Sequence, residues 1–366
     1  MTGPSKIRVG MVGISPGAGW AGTSHVPALA SLPEFELVAI APARARPQHE
    51  VVPHPAFRLA FGNYEELVLS SDIDLVVVTT RVPMHAPVAI AALAAGKHVY
   101  CEWPLGKTTG EAVRMADAAR QSGRVHAVGL QASASPTLHY VADLIRQGWI
   151  GRPLSTSMLA SSPTWGAVSK EYLADRSNGA TLFSIIGGHS LDALCRALGE
   201  FREVSATIAT QRPQTLVEGG RPFVMSSPDQ VVVQGVLASG AIASVHLRGG
   251  TARGEVFLWE IHGDEGDLIV TANNYVQYDE DGLMLKGGRG TNSKISPMPV
   301  PPDYRAQVVP SGRPGNLARM YAQMRESITI GRPMIPGFDD AVSRHRMLDS
   351  IEAAALSGVR QRIHGE

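Results

Sequence analysis

The chain is short of cysteine, has no excess of either charge and carries no long apolar run, and each shortage removes a class of protein. Only Cys101 and Cys195 occur among 366 residues. Two thiols cannot build a disulfide framework, so a reducing compartment, the cytoplasm, is the expected location. The 33 basic side chains are matched by 33 acidic ones. Polyanion binding draws on surplus Lys and Arg, so nucleic acid is not an expected partner. The apolar runs Leu75–Val78 and Ala89–Ala95 fall far short of the roughly 20 residues that cross a bilayer. Met1–Ser5 is too short and polar to open a secretory signal, so no membrane association is expected. The 12 histidines show no metal-ligand spacing, with His85, His98 and His126 on separate predicted elements, and no metal site is expected. Cys101, in an apolar strand, reads as a buried inert thiol.

What is present is a 44% hydrophobic chain, long enough for two domains of roughly 100–200 residues each. The first 130 residues alternate β-branched runs with Ala-rich helical ones. Strands are predicted at Ile7–Val12, Leu37–Ala41, Asp74–Thr80, Lys97–Glu102 and Val125–Gln131. Helices are predicted from the first glycine-rich loop through Leu32, at Tyr64–Leu69, at Pro87–Ala95 and at Ala112–Arg120. The last follows capping-box spacing at Thr108–Glu111. The run Asp74–Thr80 is continuously apolar in its middle, as a strand covered on both faces should be. Strands separated by helices of this length pair in parallel through right-handed crossovers, giving a doubly wound α/β sheet, a Rossmann domain over 1–132. Beyond it the rhythm changes. A helix at Pro136–Gln147 precedes strand candidates Ser155–Ser161, Val204–Thr210, Gln230–Leu237, Ala241–Leu247, Phe257–His262 and Asp267–Thr271. Turn signals at Ser239-Gly240, Gly263–Gly266 and Asp281-Gly282 suggest a mainly antiparallel meander. Residues 133–366 are thus expected to form an α+β domain for substrate and oligomerisation. Pro297–Gly315 reads as a connector, and the terminal helices Leu317–Ser327 and Asp339–Leu356 can fold back on the first domain. A homodimer or homotetramer through the faces of the large sheet is expected.

Gly17-Ala18-Gly19-Trp20-Ala21-Gly22 is a literal G-x-G-x-x-G between the first strand and the first helix. Bare backbone N–H groups and the helix dipole can hold a pyrophosphate there. The loop starts late, four residues after Gly13. The second strand ends in Ala41-Pro42 with no carboxylate for the ribose hydroxyls. Arg44 and Arg46 follow instead, and a guanidinium there can pair with a 2′-phosphate, which tilts the expected cofactor, NAD or NADP, toward NADP. An unliganded glycine-rich turn is the plain alternative.

These residues resemble the Gfo/Idh/MocA family of NAD(P)-dependent oxidoreductases over nearly the whole chain. Gly17-x-Gly19-x-x-Gly22-x-x-His25 resembles its nucleotide loop and following histidine. Asp72–Thr80 with His85 resembles its fourth strand and next helix, and Glu102-Trp103-Pro104 stands where the family carries Glu-Lys-Pro. Gly188-His189-Ser190-Leu191-Asp192 resembles the second domain's Gly-x-His-x-x-Asp segment, and His262–Asp267 its sheet turn. The resemblance implies cofactor contacts from Gly13, Ser15, Gly17, Gly19, Trp20, Ala21, Arg44, Thr79, Thr80, His85, Glu102, Trp103 and Gln131. It implies His189 as acid/base for a small-molecule substrate. Asp192 stands with it, and Lys170 and Tyr172 are candidates for a missing proton donor.

The departures are specific. Family dehydrogenases place the Glu-Lys-Pro lysine beside the nicotinamide; Trp103 has no titratable group and cannot do that acid–base work. The Asp often found four residues before the catalytic histidine is Ile185. The long loop and Glu102-Trp103 resemble the branch that includes the fungal galactose-pathway repressor, a dinucleotide-binding sensor that works through protein partners. Two functions are therefore expected in competition. One is an NAD(P)-dependent oxidoreductase acting on a hydroxyl or carbonyl of a sugar, glycoside or similar molecule. The other is a non-catalytic dinucleotide-binding regulator. The plain readings are a helix-capping His189, a His-orienting or helix-face Asp192, and surface-loop Lys170 and Tyr172. Trp103, at a strand end, is expected to wall the cofactor or substrate pocket.

Overall fold

The computed structural model describes residues 6–14, 19–278, 282–291, 294–307 and 309–363. Ser15 and Gly17 of the loop, Met1–Ser5, and Asp281 of one expected turn lie outside the described residues. The chain divides into two units, Met1–Leu130 with Gln307–His345, and Gln131–Ala306 with Arg346–Glu366.

The first unit runs β1 (Ile7–Val12), a wide turn at Ala21–His25 leading into α1 (Val26–Ala30), β2 (Phe35–Ala41), β3 (Leu59–Ala60) and α2 (Tyr64–Leu69). It continues through β4 (Leu75–Val78), α3 (His85–Ala94), β5 (His98–Glu102), α4 (Thr109–Ser122) and β6 (His126–Gly129). The strand order is β3-β2-β1-β4-β5-β6, parallel throughout. This is the doubly wound Rossmann sheet, with its order reversing between β1 and β4. Every residue of β4 is buried, as its unbroken Leu-Val-Val-Val demands. At the amino ends of β1 and β4, Arg8 Nε and Nη2 donate to the two oxygens of Asp74 at 2.9 and 2.7 Å. Partial burial opposes ionisation of that carboxylate, but Arg8 hydrogen bonds and charge outweigh it and hold its pKa below the ordinary value. Thr108 caps α4 by accepting from Glu111 N–H, while Glu111 in turn accepts from Lys107 N–H. The reciprocal bond of the expected capping box is thus shifted one residue toward the amino end.

The second unit opens with α5 (Pro136–Arg146), capped by Ser135, whose Oγ accepts from Leu138 N–H. There follow β7 (Pro153–Ser162), α6 (Glu171–Ala174), α7 (Gly188–Leu198), β8 (Phe201–Ala209), and the hairpin β9 (Gln214–Val217) and β10 (Arg221–Val224). Then come β11 (Gln230–Leu237), β12 (Ile242–Gly249), β13 (Phe257–Gly263), β14 (Gly266–Ala272), β15 (Met284–Arg289) and β16 (Ser296–Pro297). The chain closes with α8 (Arg313–Ile330) in the first unit, α9 (Phe338–Ser357) running across the division, and β17 (Gln361–Arg362).

The nine-stranded sheet has the order β16-β15-β14-β13-β7-β12-β11-β8-β17. It is mainly antiparallel, as the turn signals imply, but it is not a simple meander. β7 lies between β12 and β13 and pairs parallel with β12, because a parallel neighbour is reached only through a long crossover. Here the crossover from β7 to β12 contains α6, α7 and the strands β8 to β11. One face, with Val231, Val233, Val245, Leu247, Met158, Trp259 and Ile261, is buried. The other carries partly exposed Val232, Ile242 and Met284. The hairpin β9–β10 and the strands β3, β15 and β17 lack periodicity long enough to stand out in the sequence. Among the described residues no helix is long and apolar enough to cross a membrane.

Candidate functional site

At the carboxyl ends of β1 and β4 the two halves of the parallel sheet diverge, and ligands of such sheets bind in that crevice. Gly13, just past β1, has φ +99°, and a Cβ on it would lie 2.8 Å from the N and Cα of Thr80, just past β4. Thr79 donates to Val12 O through both its N–H, at 2.9 Å, and its Oγ1, at 3.0 Å. The two strand ends are thus drawn together at a place where only glycine fits. Gly19 has φ +93°, but among the described residues nothing lies within 4 Å of where its Cβ would be. A bare glycine backbone at this place can be approached closely by an anionic group. Gly19 O accepts from Thr23 N–H and Oγ1 at 3.2 and 2.8 Å. Trp20 and Ala21 then start the helix with a wide turn, in which Val26 N–H reaches back five residues to Ala21 O. The residues present therefore suit a pyrophosphate. Arg44 and Arg46 are exposed beyond β2, with Arg46 N–H bonded to Gly62 O at 2.8 Å.

His85 is fully buried. Its Nδ1 lies 2.8 Å from Pro104 O and its Nε2 3.1 Å from Thr80 O, so it ties the end of β4 to the loop after β5. Desolvation dominates its titration and lowers its pKa despite the two carbonyls. Trp103 follows β5, is 5% exposed, and packs its ring on His345 with centroids 4.9 Å apart. His345 Nε2 accepts from Gly106 N–H, and burial pushes its pKa down to about 4. Trp103 is accordingly a packed wall rather than an exposed platform. Burial likewise raises the Cys101 thiol well above its ordinary pKa, the state of an unreactive core cysteine.

Beneath the first helix lies a cluster that the sequence reading did not assemble. His25, fully buried, places Nδ1 2.6 Å from the Tyr321 hydroxyl and Nε2 3.1 Å from Glu102 Oε1. The second contact is an ion-pair distance, off the axis of a straight hydrogen bond. Tyr100 and Tyr321 rings pack against each other and around the imidazole at 5.0–6.0 Å. His25 carries a sequence signal through its spacing from the glycines. Tyr321, nearly three hundred residues away on α8, carries none.

In the second unit His189 sits in the first turn of α7, 5% exposed. Another wide turn, Phe183–Gly187, leads into it, and a Cβ on Gly187 would lie 2.8 Å from Leu247 Cδ1 of β12. The helix start thus rests directly on the sheet. Asp192 is buried and pairs with Arg196 Nε at 2.7 Å, one turn on, which anchors the helix that presents His189. Lys170 is exposed and Tyr172 half-buried, on and beside α6. Their segment is fixed by its backbone: Leu173 O accepts from Trp165 Nε1 and Ser227 Oγ, and Ala174 O from Ser226 and Ser227 N–H. Trp165 adopts φ +59°, a left-handed conformation that costs about 1–2 kcal/mol in a non-glycine residue. Gln131, buried, opens the second unit two residues after β6. Among the described residues no group of three or more His, Cys, Asp or Glu is placed to hold a metal ion.

The doubly wound sheet, with glycine where β1 meets β4, is that of the oxidoreductase class with an NAD-binding Rossmann fold. Residues 7–130 match the family described as "Oxidoreductase family, NAD-binding Rossmann fold", and 136–272 match "Gal80p, C-terminal domain". A levoglucosan dehydrogenase of Pseudarthrobacter phenanthrenivorans is 30% identical over 75% of each chain. Dehydrogenase aclE of Aspergillus oryzae is 28% identical over 96% of this chain and 97% of its own. The galactose/lactose metabolism regulatory protein GAL80 of Saccharomyces cerevisiae is 25% identical over 97% and 94%. The fold is shared with a levoglucosan dehydrogenase solved with NADH and levoglucosan (TM-score 0.82, 23% identity, 99% and 100% covered). It is shared also with a super-repressor mutant of Gal80p from Saccharomyces cerevisiae (TM-score 0.84, 22% identity, 98% of each chain). The chain belongs to the Gfo/Idh/MocA oxidoreductase family. Gly13-Ile14-Ser15-Pro16-Gly17 also spells a hydrolase-like Gly-x-Ser-x-Gly.

Proposed function

We propose that the protein is an NAD(P)-dependent oxidoreductase that moves hydride to or from a hydroxyl or carbonyl carbon of a sugar, glycoside or similar polar molecule. The observation that carries the cofactor half of this reading is the cradle at Gly13 and Gly19. The substrate class is supported by the kinship with a sugar dehydrogenase. Gly13, Ser15, Gly17, Gly19, Trp20 and Ala21 would hold the pyrophosphate, with Thr79, Thr80, Glu102, Trp103 and Gln131 along the rest of the cofactor. His85 would fix the strand ends beneath it. The bound nicotinamide supplies or accepts the hydride. His189 takes the hydroxyl proton as the carbon loses hydride and returns it in the reverse direction, with Asp192 and Arg196 fixing its helix. Lys170 and Tyr172 are the candidates for a second proton donor. The lean to NADP rests on Arg44 and Arg46. The working form is a homodimer or homotetramer through the partly exposed face of the large sheet.

A second reading is favoured by one observation. The position of the family lysine is Trp103, packed on His345, which suits a non-catalytic dinucleotide-binding regulator that acts through a protein partner.

The test mixes the purified chain with NAD(H) and NADP(H) and follows reduced-nicotinamide absorbance over a panel of sugars and cyclic carbonyls. Turnover that falls about 10²–10⁴-fold in His189→Ala supports the enzyme. Cofactor binding with no turnover, and no effect of His189→Ala, replaces it with the regulator. Arg44→Ala with Arg46→Ala should weaken NADP(H) more than NAD(H); equal effects refute the 2′-phosphate assignment.

A further inference from the structure

We propose that Tyr275 contacts the substrate, its phenol held by the buried hydroxyl of Ser162 and donating to an oxygen away from the carbon on which His189 acts. The proposal rests on the oxidoreductase reading above and adds to it a side chain that selects among substrates. Both groups belong to the second unit, where they stand near one end of the buried face of the nine-stranded sheet. Side chains two apart along a strand share a face, so Thr156, Met158, Ala160 and Ser162 of β7 line the buried side. Ser161, between the last two, faces the other way and accepts from Arg248 Nε and Nη2 at 3.2 and 3.0 Å. On β12, Leu247 pairs with Ala160 and Gly249 with Ser162. The turn that leads to His189 rests on Leu247, since a Cβ on Gly187 would lie 2.8 Å from its Cδ1. Ser162 is therefore one step, about 7 Å, along the same face from the row that carries the start of α7. That offset suits an oxygen next to, but not the same as, the one that exchanges its proton with His189.

Tyr275 reaches that step from the neighbouring strands. Ala272, the last residue of β14, pairs with Phe257 of β13, which pairs in turn with Ala160. The chain thus leaves the sheet at the edge where Ser162 ends β7, and the Tyr275 phenol oxygen lies 2.9 Å from Ser162 Oγ. Its backbone is fixed on both sides: Asn274 Oδ1 accepts from Tyr275 N–H at 2.9 Å, and Tyr275 O accepts from Tyr278 N–H at 3.0 Å. Val276 beside it is buried. Two hydroxyls bring two O–H donors and share one hydrogen bond. We assign Ser162, fully buried, as the donor to the phenol. The phenol proton is then left for an incoming oxygen, and the bond that the phenol accepts polarises it. Tyr275 itself is only half-buried, so a ligand can reach it. A fixed aromatic ring with a polar tip holds a substrate hydroxyl or carbonyl at little entropic cost.

The test is steady-state kinetics of the parent and Tyr275→Phe on the substrate that the panel identifies and on analogues that each lack one non-reacting oxygen. Tyr275→Phe keeps the ring and loses the donor, so kcat/KM on the full substrate should fall about 3–10-fold, chiefly through KM. On the analogue that lacks the contacted oxygen the two proteins should have equal kcat/KM, because the bond is already gone there. An unchanged kcat/KM in Tyr275→Phe, or the same fall on every analogue as on the full substrate, overturns the proposal while leaving the oxidoreductase reading intact. If the parent turns over no member of the panel, that reading fails first and takes this inference with it. Circular dichroism checks the fold of each variant, and if Tyr275→Phe does not fold, Ser162→Ala replaces it. Ser162→Ala removes the anchor and leaves the phenol, so the gap in kcat/KM between the full substrate and that analogue should narrow; an unchanged gap refutes the placement.

Discussion

Replacing Gly13 and Gly19 separately with Ala should give opposite patterns of damage, because the two glycines share a backbone conformation but not a neighbourhood. Both have φ near +95°, at +99° and +93°, so each alanine incurs the left-handed penalty of about 1–2 kcal/mol. At Gly13 the new methyl would also sit 2.8 Å from the backbone N and Cα of Thr80. Those atoms belong to the end of β4 and cannot swing aside, so strain of about 1–3 kcal/mol is added. Gly13→Ala should therefore lose about 2–5 kcal/mol of stability. At Gly19 there is nothing to strike among the described residues, and the cost should remain the conformational one alone, about 1–2 kcal/mol. Its methyl would instead stand in the open cradle, where a pyrophosphate must approach bare backbone, so cofactor affinity should fall more steeply than stability. Urea unfolding and equilibrium titration with NAD(H) and NADP(H), run on the same preparations, separate the two effects. If Gly19→Ala proves as destabilising as Gly13→Ala, or if Gly13→Ala stays within 0.5 kcal/mol (~0.5) of the parent, the neighbourhood argument is wrong.

Two further outcomes follow from buried polar groups. His345 titrates near 4 in the fold and near the ordinary ~6.5 when unfolded, so the folded state favours its neutral form. Its contribution is complete above pH ~6.5, declines as the unfolded chain takes up the proton, and levels off once pH falls through about 4. The loss amounts to about 3 kcal/mol at most. Buried His85 and half-buried His98 and His126 shift the same way, so the measurement is a difference: unfolding free energy between pH ~7 and pH ~4 should fall less in His345→Gln than in the parent, and parallel curves would refute the assignment. Asp229 is fully buried, with Oδ1 accepting from Gln211 N–H at 2.7 Å and Oδ2 from Arg212 N–H at 3.0 Å. Asp229→Asn turns one acceptor into a donor facing an N–H. It should cost about 1–3 kcal/mol in a denaturant midpoint series, and a neutral result would show that the turn at 209–212 does not depend on the carboxylate.

The sequence by itself determined the Rossmann half, because each signal there is local. The run Leu75–Val78 is apolar on both faces, Thr108 stands three residues before Glu111, and Gly17, Gly19 and Gly22 open a helix after a strand. Each pattern is written within a dozen residues, and the geometry it demands is made by neighbours in the chain. The second unit was legible as strands but not as a topology. Nothing local to Ser155–Ser161 tells that β7 enters between β12 and β13, since that pairing is settled by which buried faces meet after a long crossover. The same holds at the site. His25 is marked by its distance from the glycines and Glu102 by its place before Trp103. That Tyr321 arrives from α8 to bind His25, and that His345 of α9 lies against Trp103, depends on how remote helices pack. Hydrogen bonding and burial between residues hundreds of positions apart leave no periodicity to read, and only the tertiary structure decides them.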